Sequence, residues 1–267
     1  MNNVFDFKRF GNYFLYDLRN AKNNYGLSLL ILGCMPIAIF IIIQLFSLIF
    51  RQQVASLPMP IKYTQIFIVV FVATIGAGTK IYGHLTEKKA GSNFLMLPAS
   101  TLEKWLSMLL VVCVAVPFVL LALQVASDAL MSFIFPGTYG ARMYEMIPLQ
   151  EAKDAMQEVG VSFNFGGYLF LEWCESVLVF TLGALIFKKS KIAKTILCLM
   201  GISFILSTIM MIILGFDGVN VYFNWLEHFD TVVGFTDFLN WTMNLTFFVT
   251  LGLIMGGMFY RIRTLKH

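Results

Sequence analysis

The amino-acid sequence predicts an all-α, polytopic integral membrane protein with six transmembrane helices. Three observations carry that reading. The 267 residues are 58% hydrophobic and only 13% charged, about half the charge of a soluble domain, with a mean hydropathy of +0.78. Six apolar runs, at residues 26–50, 63–79, 105–127, about 168–187, 195–216 and 238–260, each approach the ~20 residues that ~30 Å of hydrocarbon requires. The lysines and arginines gather at the borders of these runs, and mostly on one side.

Residues 1–25 precede the first span. They hold six charged residues and no apolar core, so they are not a secretory signal. At 100° per residue Phe7, Phe10, Phe14, Leu18 and Ala21 share one face, opposite Lys8, Arg9, Asn12, Arg19 and Lys22. That pattern predicts an amphipathic interfacial helix leading into the membrane domain of residues 26–267. Pro36 and Pro117 predict kinks in the first and third spans. The second span is the shortest, and Lys80 can snorkel to extend it. Gly252 and Gly256 in the sixth have the G-x-x-x-G spacing of a close helix contact, a weak motif when alone.

With six spans, the N-terminus, the segments 84–104 and 188–194, and the C-terminus share one side. These hold four, four, four and three Lys or Arg residues, counting Lys80 with the second; the opposite side holds only Arg51, Lys62, Arg142 and Lys153. The asymmetry places both termini in the cytoplasm. Of the outer segments, residues 148–159 predict a short helix begun by Pro148 and closed by Gly160. Residues 217–237 mix acids with Tyr222, Phe223, Trp225 and Phe229, which suits a membrane interface.

Several chemistries find no support. The four cysteines lie in separate apolar runs without C-x-x-C spacing and read as small packing residues. Three scattered histidines form no metal cluster, and the charge of +4 sits at membrane borders, not in a nucleic-acid patch. The run Gly76-Ala77-Gly78-Thr79-Lys80 lacks P-loop spacing, and no H-E-x-x-H or G-x-S-x-G appears. Catalysis by the chain and a cofactor within it are therefore not expected. Glu172 and Glu175, three residues apart in the outer part of the fourth span, share a helix face. Acids at such depth line a wet cavity and a substrate path, or else reach the outer headgroups.

The most specific pattern is the stretch 84–104. Glu87 is followed by Gly91-Ser92, the apolar run Phe94–Leu97, Pro98, and then Ser100 and Glu103 at capping-box spacing. Pro98 disfavours helical geometry at Leu97. The expected form is an amphipathic surface helix, a proline stop and a fresh helix start.

The order of interfacial helix, two spans, cytoplasmic E-x-x-x-G-[ST] with a following L-P-x-S-x-x-E, and four more spans resembles the ABC type-2 transporter permease family. The topology covers nearly the whole chain, and the residue-level match about twenty positions. Where the family often has threonine after the glycine and arginine after the serine, this chain has Ser92 and Thr101. The resemblance implies that the stretch is a coupling helix, docked on a separate cytoplasmic ABC ATPase through Glu87, Gly91, Ser92, Leu97, Pro98, Ser100 and Glu103. It implies a permease subunit of an exporter in the plasma (bacterial inner) membrane, paired with a second permease chain as a homodimer or heterodimer and surrounded by lipid. ATP and Mg would belong to the partner. Two alternatives stand beside it: a proton-coupled secondary transporter using Glu172 and Glu175, and a non-transporting membrane scaffold.

Overall fold

The computed structural model describes residues 5–50, 57–143, 165–214 and 232–264. Among them are ten α-helices and no strand: α1 (Phe7–Gly33), α2 (Met35–Ile49), α3 (Met59–Tyr82), α4 (Lys88–Met96), α5 (Thr101–Leu110), α6 (Val116–Ile134), α7 (Pro136–Tyr139), α8 (Phe165–Ile186), α9 (Lys191–Leu214) and α10 (Val232–Arg263). A short 3-10 turn, Gly83–Thr86, joins α3 to α4, and a π-helical turn, Val111–Ala115, joins α5 to α6. Among the described residues five helical stretches are long and apolar enough to cross a bilayer, and the α1–α2 pair, bent by 44°, is a sixth if it crosses as one span. The protein is thus a multi-pass, all-α membrane protein. The predicted outer helix 148–159, and residues 217–231 of the aromatic outer segment, lie outside the described residues.

α1 departs from the expected layout. It runs unbroken across position 25 and ends only at Gly33, where the chain bends by 44° into α2. Pro36 explains the place. It has no N–H for the Leu32 carbonyl, and the Ile37 N–H turns to Cys34 O at 3.1 Å, leaving Gly33 O free. Side chains of α6 replace both donors: Gln124 Nε2 donates to Leu32 O at 2.5 Å, and Ser127 Oγ to Gly33 O at 2.7 Å. A broken helix thereby keeps its backbone satisfied, as a non-aqueous surrounding demands. The inward face of α1 is Tyr13, Asp17, Ala21, Tyr25 and Leu29, an i, i+4 row. Phe7 and Leu18 of the expected apolar face remain exposed, with Phe14 packed partly on the core.

Pro117 acts differently. The helix widens just before it, and Val116 N–H bonds Val111 O, five residues back. Val112 O loses its usual donor, and the indole N–H of Trp173 on α8 takes the place at 3.2 Å. The disruption becomes a tie between helices, and the stretch remains one continuous span, Thr101–Ile134.

α8 lies along α3 in the most extensive helix pairing, with α10 and α9 on its other sides. Gly78 makes the first contact close: a Cβ there would overlap the Thr181 hydroxyl and stand 2.7 Å from its Cα. Gly183 gives Thr195 the same access between α8 and α9. Cys113 and Cys174, far apart in sequence, are both buried in the same apolar core. Gly252 and Gly256, in contrast, meet nothing within 4 Å and face outward.

At one end of the bundle, Asp128 accepts from Tyr139 Oη at 2.6 Å and from the Met143 N–H at 2.8 Å. Burial, reinforced by Asp128, pushes the Tyr139 hydroxyl above its ordinary pKa, so it remains a donor. Lys62, nearly fully buried, lies 3.7 Å from the Tyr139 ring centre and donates to Ala141 O at 2.8 Å. The four basic segments gather at the opposite end. Arg9 of α1 reaches Glu103, Lys191 at the start of α9 reaches Gly83 O, and Arg261 of α10 reaches Leu185 O.

Candidate functional site

α4 stands at that basic end, between the last turn of α3 and the first of α5. Its limits are the expected ones. Glu87 is extended at its start, Leu97 is extended at its end, and Pro98 follows. The capping box forms in full: the Glu103 N–H donates to Ser100 Oγ at 3.2 Å, and the Ser100 N–H to Glu103 Oε2 at 2.8 Å.

Three cationic side chains hold α4 and its flanks. Lys104 Nζ donates to Phe94 O at 2.7 Å and lies 4.8 Å from the Phe94 ring centre. It therefore caps the carbonyl end of α4, where a positive charge is favoured. Lys191 Nζ donates to Gly83 O in the turn before α4. Arg9 forms a two-pronged pair with Glu103, Nη2 to Oε1 at 2.7 Å and Nε to Oε2 at 2.8 Å. The Asp6 N–H adds a bond to Oε1 at 2.9 Å. Since Asp6 caps α1 and Ser100 caps α5, one carboxylate serves the N-termini of two helices.

The expected docking residues therefore divide into two groups. Glu103 is 0% exposed and fully engaged within the chain, so it is an internal brace and not part of an outward surface. Ser100 is spent on the cap, Leu97 packs partly on the core, and Gly91 is buried by the chain's own fold. Ser92 is half-buried. Glu87 and Pro98 are exposed, and so are three residues the sequence reading left out: Asn93, Leu95 and Met96, the last at 77%. Leu95 and Met96 thus give this short helix an outward apolar edge beside Asn93. Their signal in the sequence was the position opposite Phe94, visible only once Phe94 is known to point inward.

Beside α4 lies a pocket of about 170 Å³ lined by side chains of α1, the 3-10 turn and α4, with Tyr82 at the end of α3. Asp17 is in its wall, 3% exposed, and its Oδ2 accepts from Tyr82 Oη at 2.8 Å and Ser107 Oγ at 2.6 Å. This carboxylate joins α1, α3 and α5. No local pattern signals this role, because its partners are 65 and 90 positions away.

Glu172 and Glu175 stand apart from this end. Glu172 is exposed on α8 and Glu175 half-buried, and neither makes an ion pair among the described residues. They share a helix with Trp173 and Cys174, which turn inward. Comparison with known proteins adds nothing to this geometry: no family model, no curated protein and no solved structure matches the chain.

Proposed function

We propose that this chain is the membrane-spanning permease subunit of an ATP-driven ABC transporter, an exporter, working with a separate cytoplasmic ATPase. The observation that carries the reading is α4. It is a short helix between the second and third spans, held to the bundle at its C-terminal end by Lys104 and through the preceding turn by Lys191, with Leu95 and Met96 turned outward. A helix gripped by the bundle and exposed on its far side transmits a push to the spans behind it. A loose loop does not. In this reading six spans cross the plasma membrane, both termini are cytoplasmic, and a second permease chain completes the transporter. ATP and Mg bind in the partner. Closure of the ATPase pushes on α4, and the brace at Glu103 passes the movement to α1 and α5 together.

The test is co-purification of an ATPase with the chain in mild detergent, followed by ATP hydrolysis in vesicles. Met96→Asp and Leu95→Asp should each lower ATPase recovery at least tenfold while leaving the chain inserted and folded, since neither touches the core. Glu87→Lys should act in the same sense if a cation of the partner meets it. Gly91→Trp is a poorer probe, because Gly91 is buried and the change would unseat α4 itself. Full recovery of the ATPase with both aspartate variants would sink the reading.

A further inference from the structure

We propose that the pocket between α1, the 3-10 turn and α4 binds a small alkylammonium cation. The site does not depend on the permease reading. In its wall is a carboxylate, Asp17, that forms no ion pair among the described residues. Both described hydrogen bonds to Asp17, from Tyr82 and Ser107, fall on Oδ2, and Oδ1 accepts none among the described residues. Among the described residues Arg9 is committed to Glu103 and Lys104 to the Phe94 and Leu95 carbonyls, and His84 is the one basic side chain in the lining itself. A shielded carboxylate with two donors on one oxygen favours a positive partner at the other.

The walls select the kind of cation. Tyr13, Tyr16, Tyr82 and Phe94 line the pocket, and the Tyr13 and Tyr16 ring centres are 6.4 Å apart. Aromatic faces attract ammonium groups, alkylated ones above all. A metal ion instead asks for a shell of oxygen or nitrogen ligands, and among the described residues no group of His, Cys, Asp and Glu could hold one. The volume of about 170 Å³ is the room of roughly five or six waters, enough for a tetramethylammonium-sized head. Tyr13, Tyr16 and Leu97 also border a wider groove of about 500 Å³, where Lys8, Arg9 and Asn12 stand. An ammonium in the pocket could therefore belong to a free amine or to a phospholipid headgroup whose phosphate lies in the groove beside Lys8.

The experiment uses the full chain in a maltoside detergent and titrates tetramethylammonium chloride while following the unfolding temperature. A saturable rise is expected, absent with equal sodium chloride and with neopentyl alcohol, a neutral molecule of similar size and branching. Asp17→Asn should abolish it. Tyr16→Ala should weaken apparent affinity about tenfold, and since Tyr16 is 53% exposed this variant keeps the test decisive should Asp17→Asn not fold. Nanodiscs of phosphatidylethanolamine and of phosphatidylglycerol alone then separate the sources. Weaker tetramethylammonium binding in the first assigns the site to a lipid headgroup; equal binding assigns it to a free amine. No saturable response in the wild type, or an unchanged one in Tyr16→Ala, would overturn the proposal.

Discussion

Glu103 shows how one side chain decides the geometry of this end of the molecule. Its carboxylate is fully buried yet accepts from Arg9, Asp6 and Ser100, so its solvation is replaced by fixed donors. Arg9 is 37% exposed, so the pair is screened and its loss costs less than that of a fully buried one. Arg9→Met should lower the unfolding temperature only modestly, because two backbone donors remain on the carboxylate. Glu103→Gln in that background should recover part of the loss, as the amide carries no charge to desolvate. A double-mutant cycle on unfolding temperature checks both; additive effects would mean that the two side chains do not interact. The capping role of Glu103 was legible in the sequence because Ser100 is three residues away. Its partner was not, because Arg9 lies 94 positions upstream and no local periodicity reports on such a distance. The same holds for Asp17, which reads as one more charge on an amphipathic helix until Tyr82 and Ser107 are seen around it.

Between residues and bundle, the helices follow local rules where the sequence states them locally. α4 and α5 start and stop where Pro98 and the capping box put them. Both prolines disturb their helices, as expected, but the form of the disturbance depends on what lies opposite. Gln124 and Ser127 stand beside the carbonyls freed at Pro36, and a bend results. Trp173 stands beside the carbonyl freed at Val112, and a π turn results. Neither neighbour is deducible from the proline itself. The glycines make the same point. Gly252 and Gly256 have the recognisable spacing and face outward, while Gly78, outside any such spacing, lets α3 approach Thr181 of α8 closely. Gly78→Val should therefore force α3 and α8 apart, because the added Cβ meets Thr181 backbone that cannot rotate away. Overpacking of this kind costs about 1–3 kcal/mol. Gly252→Val, added to open space, should leave the unfolding temperature of the monomeric chain unchanged. Equal effects at the two positions would refute the packing argument.

At the scale of the whole molecule, composition alone made the membrane class legible, because no soluble fold of this length needs so little charge. Charge placement is the further global signal, and the fold gives it a spatial meaning. The N-terminal helix, α4, the α8–α9 turn and the end of α10 come from four separate parts of the chain, yet Arg9, Lys104, Lys191 and Arg261 all make their bonds at one end of the bundle. At the other end Lys62 is folded inward against Tyr139 and adds little to the outer surface. Lys104 is buried at the basic end as Lys62 is at the other, so burial leaves the charge asymmetry as the sequence states it. A labelling experiment follows from it. In a cysteine-free background, Asn93→Cys and Lys189→Cys stand exposed at the basic end, and Gly137→Cys stands exposed at the other with nothing within 4 Å. Gly137→Cys should react with a membrane-impermeant maleimide in intact cells. The other two should react only after permeabilisation. Asn93 serves better than Ser92, which is half-buried and would label slowly from either side. Because the bundle holds the three positions rigidly at opposite ends, one orientation predicts all three results. Labelling of Asn93→Cys and Lys189→Cys in intact cells, with Gly137→Cys silent, would invert the molecule and remove α4 from the reach of any cytoplasmic ATPase.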